Sequence, residues 1–125
     1  MRRFEPDTLR RIGCALFEAV GCSAEDARTV TEHLVESSLF GHDSHGILRI
    51  PAYAREVHTG TIKPAGNHKV VRETPASLTI DANKSFGIVL CNQAMQRTVD
   101  RVQQHTFGAV AVHQGVGAWL VGCLQ

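Results

Sequence analysis

Leu9, Ile12, Leu16 and Val20 recur at helical spacing with Arg10, Arg11 and Glu18 between them, which predicts an amphipathic helix over residues 6–20 ended by Gly21. Ser23 followed by Asp26 reads as a capping box. Ala27, Val30, Leu34 and Ser38 then form the inward stripe of a second helix that stops at Gly41. A third helical stretch runs from Ile47 to His58 through Leu48, Ala52 and Val57 and ends at Gly60. Pro51 either sits in the first turn of a helix starting near Ile50 or kinks a longer one.

After Pro64 the pattern changes. Residues 68–72 and 77–80 are short β-prone runs separated by Thr74, Pro75 and Ala76, the pattern of a hairpin. Residues 86–104 return to helical spacing, with Val89, Met95, Val99 and Val102 on one side and Gln96, Arg97, Asp100 and Arg101 on the other. Residues 108–112 are a compact apolar run of strand length between glycines, which fits an interior strand. The stretch Lys63 to Asn67 is the one candidate linker. Ala118, Trp119, Leu120, Val121 and Leu124 then open a new apolar helix that stops at Gln125 with nothing downstream to pack against. The expectation is a truncated chain, the rival being a short helix docked on the existing core.

A length of 125 residues suits one domain, and 43% hydrophobic with 20% charged residues is a globular balance. Thirteen Lys and Arg against twelve Asp and Glu leave a net charge of +1, which provides no field for nucleic acid or anionic lipid. Every apolar run falls short of the roughly 20 residues of a membrane span, and the N-terminus lacks an apolar secretory core, so the expected location is the cytoplasm. Cys14, Cys22, Cys91 and Cys123 form no C-x-x-C pair and read as reduced core residues.

The densest chemistry lies in Gly41-His42-Asp43-Ser44-His45-Gly46-Ile47-Leu48-Arg49, followed by Tyr53. If this stretch is helical, His45, Arg49 and Tyr53 share one face and bring an imidazole, a guanidinium and a phenol together. Such a face suits a 2-oxo or 2-hydroxy acid. The planar fork of Arg49 matches a carboxylate, and an imidazole exchanges protons near neutrality. Gly46 removes a side chain beside the imidazole, and Asp43 or Ser44 could cap the helix or fix the histidine tautomer. A second reading stays open: a capped turn leading into a helix, with Arg49 a surface ion-pair donor and Tyr53 at the edge of the core. A metal bound by His42, Asp43 and His45 lacks a distant ligand pair, so no metal is expected. Adjacent helical residues point about 100° apart, which disfavours a Ser44–His45 hydrogen bond and with it a serine nucleophile.

These residues, with Gly60-Thr61-Ile62-Lys63-Pro64, Asp81, Gly87 and Ala94-Met95 in the same order, resemble the N-terminal part of the type-2 malate/L-lactate dehydrogenase family. That family includes malate, lactate, sulfolactate and ureidoglycolate dehydrogenases and reductases of diketogulonate and cyclic imino acids. The resemblance implies a mixed α/β, non-Rossmann fold, in which residues 1–60 form a helical layer and residues 66–125 begin an incomplete sheet. It implies an oxidoreductase that moves a hydride between NAD or NADP and a 2-hydroxy acid such as malate or lactate. His45 would be the catalytic acid–base group, Ser44, Arg49 and Tyr53 would bind substrate, and the protein would be a homodimer.

Two departures qualify that resemblance. Family members are much longer, so the cofactor site lies mostly beyond Gln125 and this chain alone is expected to be inactive. A second functional histidine is usual after the strand at residues 109–112. Here the sequence reads His113-Gln114-Gly115-Val116-Gly117-Ala118, with Gly115 at the expected place. Either His113 stands in from a shifted position or that function is lost. The alternative from another class is a non-catalytic remnant that serves as an interaction or dimerisation module.

Overall fold

The computed structural model describes residues 2–64 and 68–116. The apolar C-terminal helix expected after Ala118 lies outside the described residues. The order of elements is α1 (Pro6–Ala19), α2 (Ala24–Leu39), two short 3-10 turns, α3 (Ile50–His58), β1 (Lys69–Glu73), β2 (Ser77–Asp81), α4 (Gly87–Gln104) and β3 (Ala109–His113). The architecture is thus mixed α/β, as the resemblance implies.

The helix boundaries follow local chemistry. Pro6 opens α1 at a position where its missing N–H costs nothing. The Ser23 hydroxyl accepts a hydrogen bond from the Asp26 amide at 3.1 Å and so caps α2. Gly41 follows α2 with φ of 85°, a conformation glycine adopts without penalty. Pro51 lies in the first turn of α3, which settles its two possible placements.

The inward face of α1 differs from the expected stripe. Ile12 and Leu16 are 55% and 37% exposed, whereas Gly13 and Phe17 are buried. The reason is the approach of α2: a Cβ on Gly13 would sit 2.6 Å from Thr31 Cγ2, so the missing side chain brings the two helices together there. Phe17 then fills the adjoining space, edge-on to Phe86 with ring centroids 5.8 Å apart. A face chosen by residue size alone misses a contact made by a residue without a side chain.

The sheet is ordered β1-β2-β3. β1 and β2 pair antiparallel, with an irregularity between Val70 and Arg72, and β2 pairs with β3 in parallel. The hairpin is therefore as expected, but β3 lies at an edge among the described strands, and β2 holds the centre. The parallel pairing places α4 as the connection between β2 and β3. On α4 the buried side chains are Ile88, Val89, Leu90 and Ala94, in its first half. Val102, expected on the inner side, is 48% exposed.

Buried apolar residues form two clusters. One joins the helical layer to the start of α4 through Phe17, Val30, Leu34, Ile50, Ile62 and Phe86; the other, Leu78, Ile80 and Ala94, lies under the sheet. At the start of the expected linker the Lys63 amide donates to the Lys84 carbonyl at 2.9 Å, next to the fully buried Ile62, and residues 65–67 of that linker lie outside the described residues. Cys14, Cys22 and Cys91 are free thiols, and burial pushes Cys22 up to about 11.

Asp26 is the buried carboxyl of the helical layer. Desolvation holds it above the ordinary carboxylate range, opposed by the Ser23 hydroxyl and reinforced by Glu25. A carboxyl raised in the folded state binds more protons folded than unfolded, so stability falls as pH climbs from the ordinary carboxylate range through the raised value. Asp26→Asn is therefore expected to flatten the decline in urea midpoint between acid and neutral pH. An unchanged slope would show that Asp26 does not set it.

Candidate active site

The glycine-histidine-rich segment does not form a continuous helix. Asp43–His45 and Ile47–Arg49 are single 3-10 turns separated by Gly46, which has φ of −102° and ψ of −146°. The His45 amide donates to the His42 carbonyl at 2.9 Å and the Arg49 amide to the Gly46 carbonyl at 2.9 Å. His45, Arg49 and Tyr53 therefore do not lie on one α-helical face at i, i+4 and i+8, because 3-10 turns and a break replace the α-helical repeat.

α2 holds this segment in place. The His42 amide donates to the Ser37 carbonyl at 2.8 Å, and the Ile47 amide donates to the Ser38 hydroxyl at 3.0 Å. A Cβ on Gly46 would lie 2.0 Å from Ser38 Oγ and 3.0 Å from Ser38 N. Gly46 thus makes room for the backbone of α2 and its serine, whereas the sequence suggested room beside the imidazole. Ser38, read from the sequence only as part of an inward stripe, is the anchor of the junction.

Ser44 Oγ lies 2.9 Å from His45 Nδ1, contrary to the expectation that adjacent residues would not meet. That expectation weighed only the angle between neighbouring Cα–Cβ directions, which a 3-10 turn does not narrow; rotation of the two side chains about their own bonds brings Oγ and Nδ1 together. Ser44, and not Asp43, is the residue that engages the ring, leaving Nε2 as the other ring nitrogen. Arg49 Nε donates to the Ser44 backbone carbonyl at 2.8 Å. Among the described residues no carboxylate pairs with Arg49. Ser44, His45 and Arg49 are all exposed.

Tyr53 on α3 stands apart from this trio in character. It is partly buried and meets Phe86 edge-on at 6.1 Å, and burial raises its phenol while the nearby Arg49 charge lowers it. His33 of α2 is also drawn into the neighbourhood. Burial lowers its imidazole, Glu36 opposes that, and the charge of His45 adds to the lowering. No periodic signal in the sequence singles out His33.

His113 ends β3 opposite Asp81 in the register, with Nδ1 3.9 Å from Asp81 Oδ1. That separation is longer than a hydrogen bond. No cluster of three or more metal-ligating side chains is found among the described residues, and none of their helices is long and apolar enough to cross a membrane.

A helical layer and a sheet with one parallel pair define a mixed α/β protein, and an exposed serine, histidine and arginine are hydrogen-bonded together beside α2. The chain belongs to the malate/L-lactate dehydrogenase family, whose signature it matches over residues 4–121. It is 35% identical to hydroxycarboxylate dehydrogenase B of Escherichia coli O157:H7, over 97% of this chain and 35% of that protein. It is 31% identical to the malate/(S)-sulfolactate dehydrogenase of Methanothermus fervidus, over 86% of this chain and 32% of that one. A putative malate/lactate dehydrogenase from E. coli superposes with a TM-score of 0.85 at 35% identity, covering 92% of this chain and 32% of the other. Malate dehydrogenase from Pyrococcus horikoshii OT3 gives 0.85 at 26% identity, covering 89% and 32%. The chain thus spans about a third of the length of these relatives.

Proposed function

We propose that this chain carries the acid–base and carboxylate-binding part of an NAD(P)-dependent 2-hydroxy-acid dehydrogenase, acting on a small acid such as malate or lactate. The observation that carries the reading is the joined trio: Ser44 Oγ 2.9 Å from His45 Nδ1, and Arg49 tied at 2.8 Å to the Ser44 carbonyl. In this scheme protonated His45 gives its Nε2 proton to the carbonyl oxygen of a 2-oxo acid, while its Nδ1–H donates to Ser44 Oγ and holds the ring in place. In the reverse direction Nε2 takes the proton back. The terminal amino groups of Arg49 receive the substrate carboxylate end-on, since the Nε edge already donates to Ser44. Tyr53, leaning on Phe86, forms a wall of the substrate site.

The trio fits the substrate half of this chemistry. The nicotinamide supplies the hydride, and no residue of this chain is assigned to hold it. The substrate site would be covered by further polypeptide, which would exclude water and bring the hydride donor to near-attack distance.

Joining residues 1–125 to the downstream part of hydroxycarboxylate dehydrogenase B is expected to give a chimera that oxidises NADH or NADPH with a 2-oxo acid. A chimera that folds and binds nicotinamide yet stays inert would sink the proposal. In an active chimera, Arg49→Lys is expected to raise KM for the 2-oxo acid by roughly tenfold or more with a smaller change in kcat, because an ammonium cannot hold a carboxylate by two parallel bonds. An unchanged KM would remove Arg49 from the substrate site.

A second reading, a dimerisation or interaction module, draws support from Phe4, Ile12, Leu39 and Phe40, which are 60%, 55%, 60% and 78% exposed. Such positions also suit the homodimer expected of a cytoplasmic dehydrogenase. The two readings separate on the His45 variant described below.

A further inference from the structure

We propose that the small cavity between α2 and the residues leading into α4 is a binding site for one water molecule, bridging Asp26 Oδ2 and Ser85 Oγ. The cavity is about 30 Å³, and its wall includes Asp26, Ser85, His68 and Gln93 beside the apolar Phe86 and Leu90. Asp26 and Ser85 are 6% and 3% exposed, and Asp26 Oδ2 and Ser85 Oγ find no hydrogen-bond partner among the described residues. Buried polar atoms are rarely left in that condition.

Size and chemistry both select water. A site needs roughly 10–15 Å³ of probe-occupied volume and two to four polar neighbours to hold one. Two orphaned oxygens supply the minimum, and the side chains of Gln93 and His68 line the same space. A calcium-like cation would need about six to eight oxygens. The lining residues offer only the Asp26, Ser85 and Gln93 side-chain oxygens toward that number.

The site joins two parts of the fold. Asp26 belongs to the first turn of α2. Ser85 lies in the segment that pairs with the residues after β3, its carbonyl accepting from the Val116 amide at 3.2 Å. Phe86, in the cavity wall, is also the ring against which Phe17 and Tyr53 pack. The water would therefore tie the helical layer to the entry of α4, independently of the dehydrogenase reading.

The test uses the 125-residue chain. Water-to-protein cross-relaxation in NMR is expected to show one slowly exchanging water at Ser85 and Asp26, and a crystal structure is expected to place its oxygen within hydrogen-bond distance of both atoms. Asp26→Leu, which fills the space with apolar atoms, is expected to remove that one water. Should the variant not fold, the unaltered chain's spectra and density decide alone. Density in which Asp26 and Ser85 bond directly, or a dry cavity, overturns the proposal. A melting temperature that rises in potassium or ammonium chloride over choline chloride, with matching density, would show a cation in place of water and overturns it equally.

Discussion

Replacing His45 with glutamine in an active chimera is expected to lower kcat by roughly 10²- to 10⁴-fold, the usual contribution of a positioned acid–base group. Glutamine keeps the polarity and much of the reach but cannot deliver a proton near neutrality. Because His45 is exposed and its ring bonds only to Ser44 in the described structure, the melting temperature should stay within a few degrees. Steady-state kinetics together with differential scanning fluorimetry decide the matter. Retained turnover with a substantially lower melting temperature would make His45 a structural part of a capped turn and favour the interaction-module reading.

Gly46→Ala is expected to cost about 1–3 kcal/mol, as overpacking a fitted contact typically does. In a domain of this size that corresponds to a drop of roughly 3–15 °C in melting temperature. The added methyl would fall 2.0 Å from Ser38 Oγ and 3.0 Å from Ser38 N. A hydroxyl can rotate away, but the α2 backbone cannot, and rotation would also break the bond from the Ile47 amide. The variant should therefore move the two 3-10 turns off α2 and lower activity of a chimera along with stability. Gly46→Ala/Ser38→Ala, which removes the hydroxyl, should recover part of the loss. No stability change in the single variant would mean that the turns are not held by this contact.

Much of the fold was legible because its signals are local. The Ser23–Asp26 cap, the stops at Gly21, Gly41 and Gly60, the hairpin and the long α4 each depend on neighbours within a few residues. What escaped the sequence depends on contacts across the chain. Ile12 and Leu16 look like core residues, yet Gly13 is what α2 packs against at Thr31. The trio at Ser44, His45 and Arg49 was visible as chemistry, but its assembly was not. An α-helical face was the natural assumption, and the Ser38–Gly46 contact that bends the chain into 3-10 turns joins residues on different elements.

The two buried clusters meet in one helix. Ile88 and Val89, in the first turn of α4, belong to the cluster of the helical layer, and Ala94 belongs to the cluster beneath the sheet. Local opening in a protein follows such cooperative units. The sheet can therefore fray from β1, which is exposed along its whole length, without disturbing the trio held against α2. Loss of the first turns of α4 has no such containment. In amide hydrogen exchange, the amides near Leu90 and Ala94 should consequently be among the slowest in the chain, marking the axle on which both halves turn.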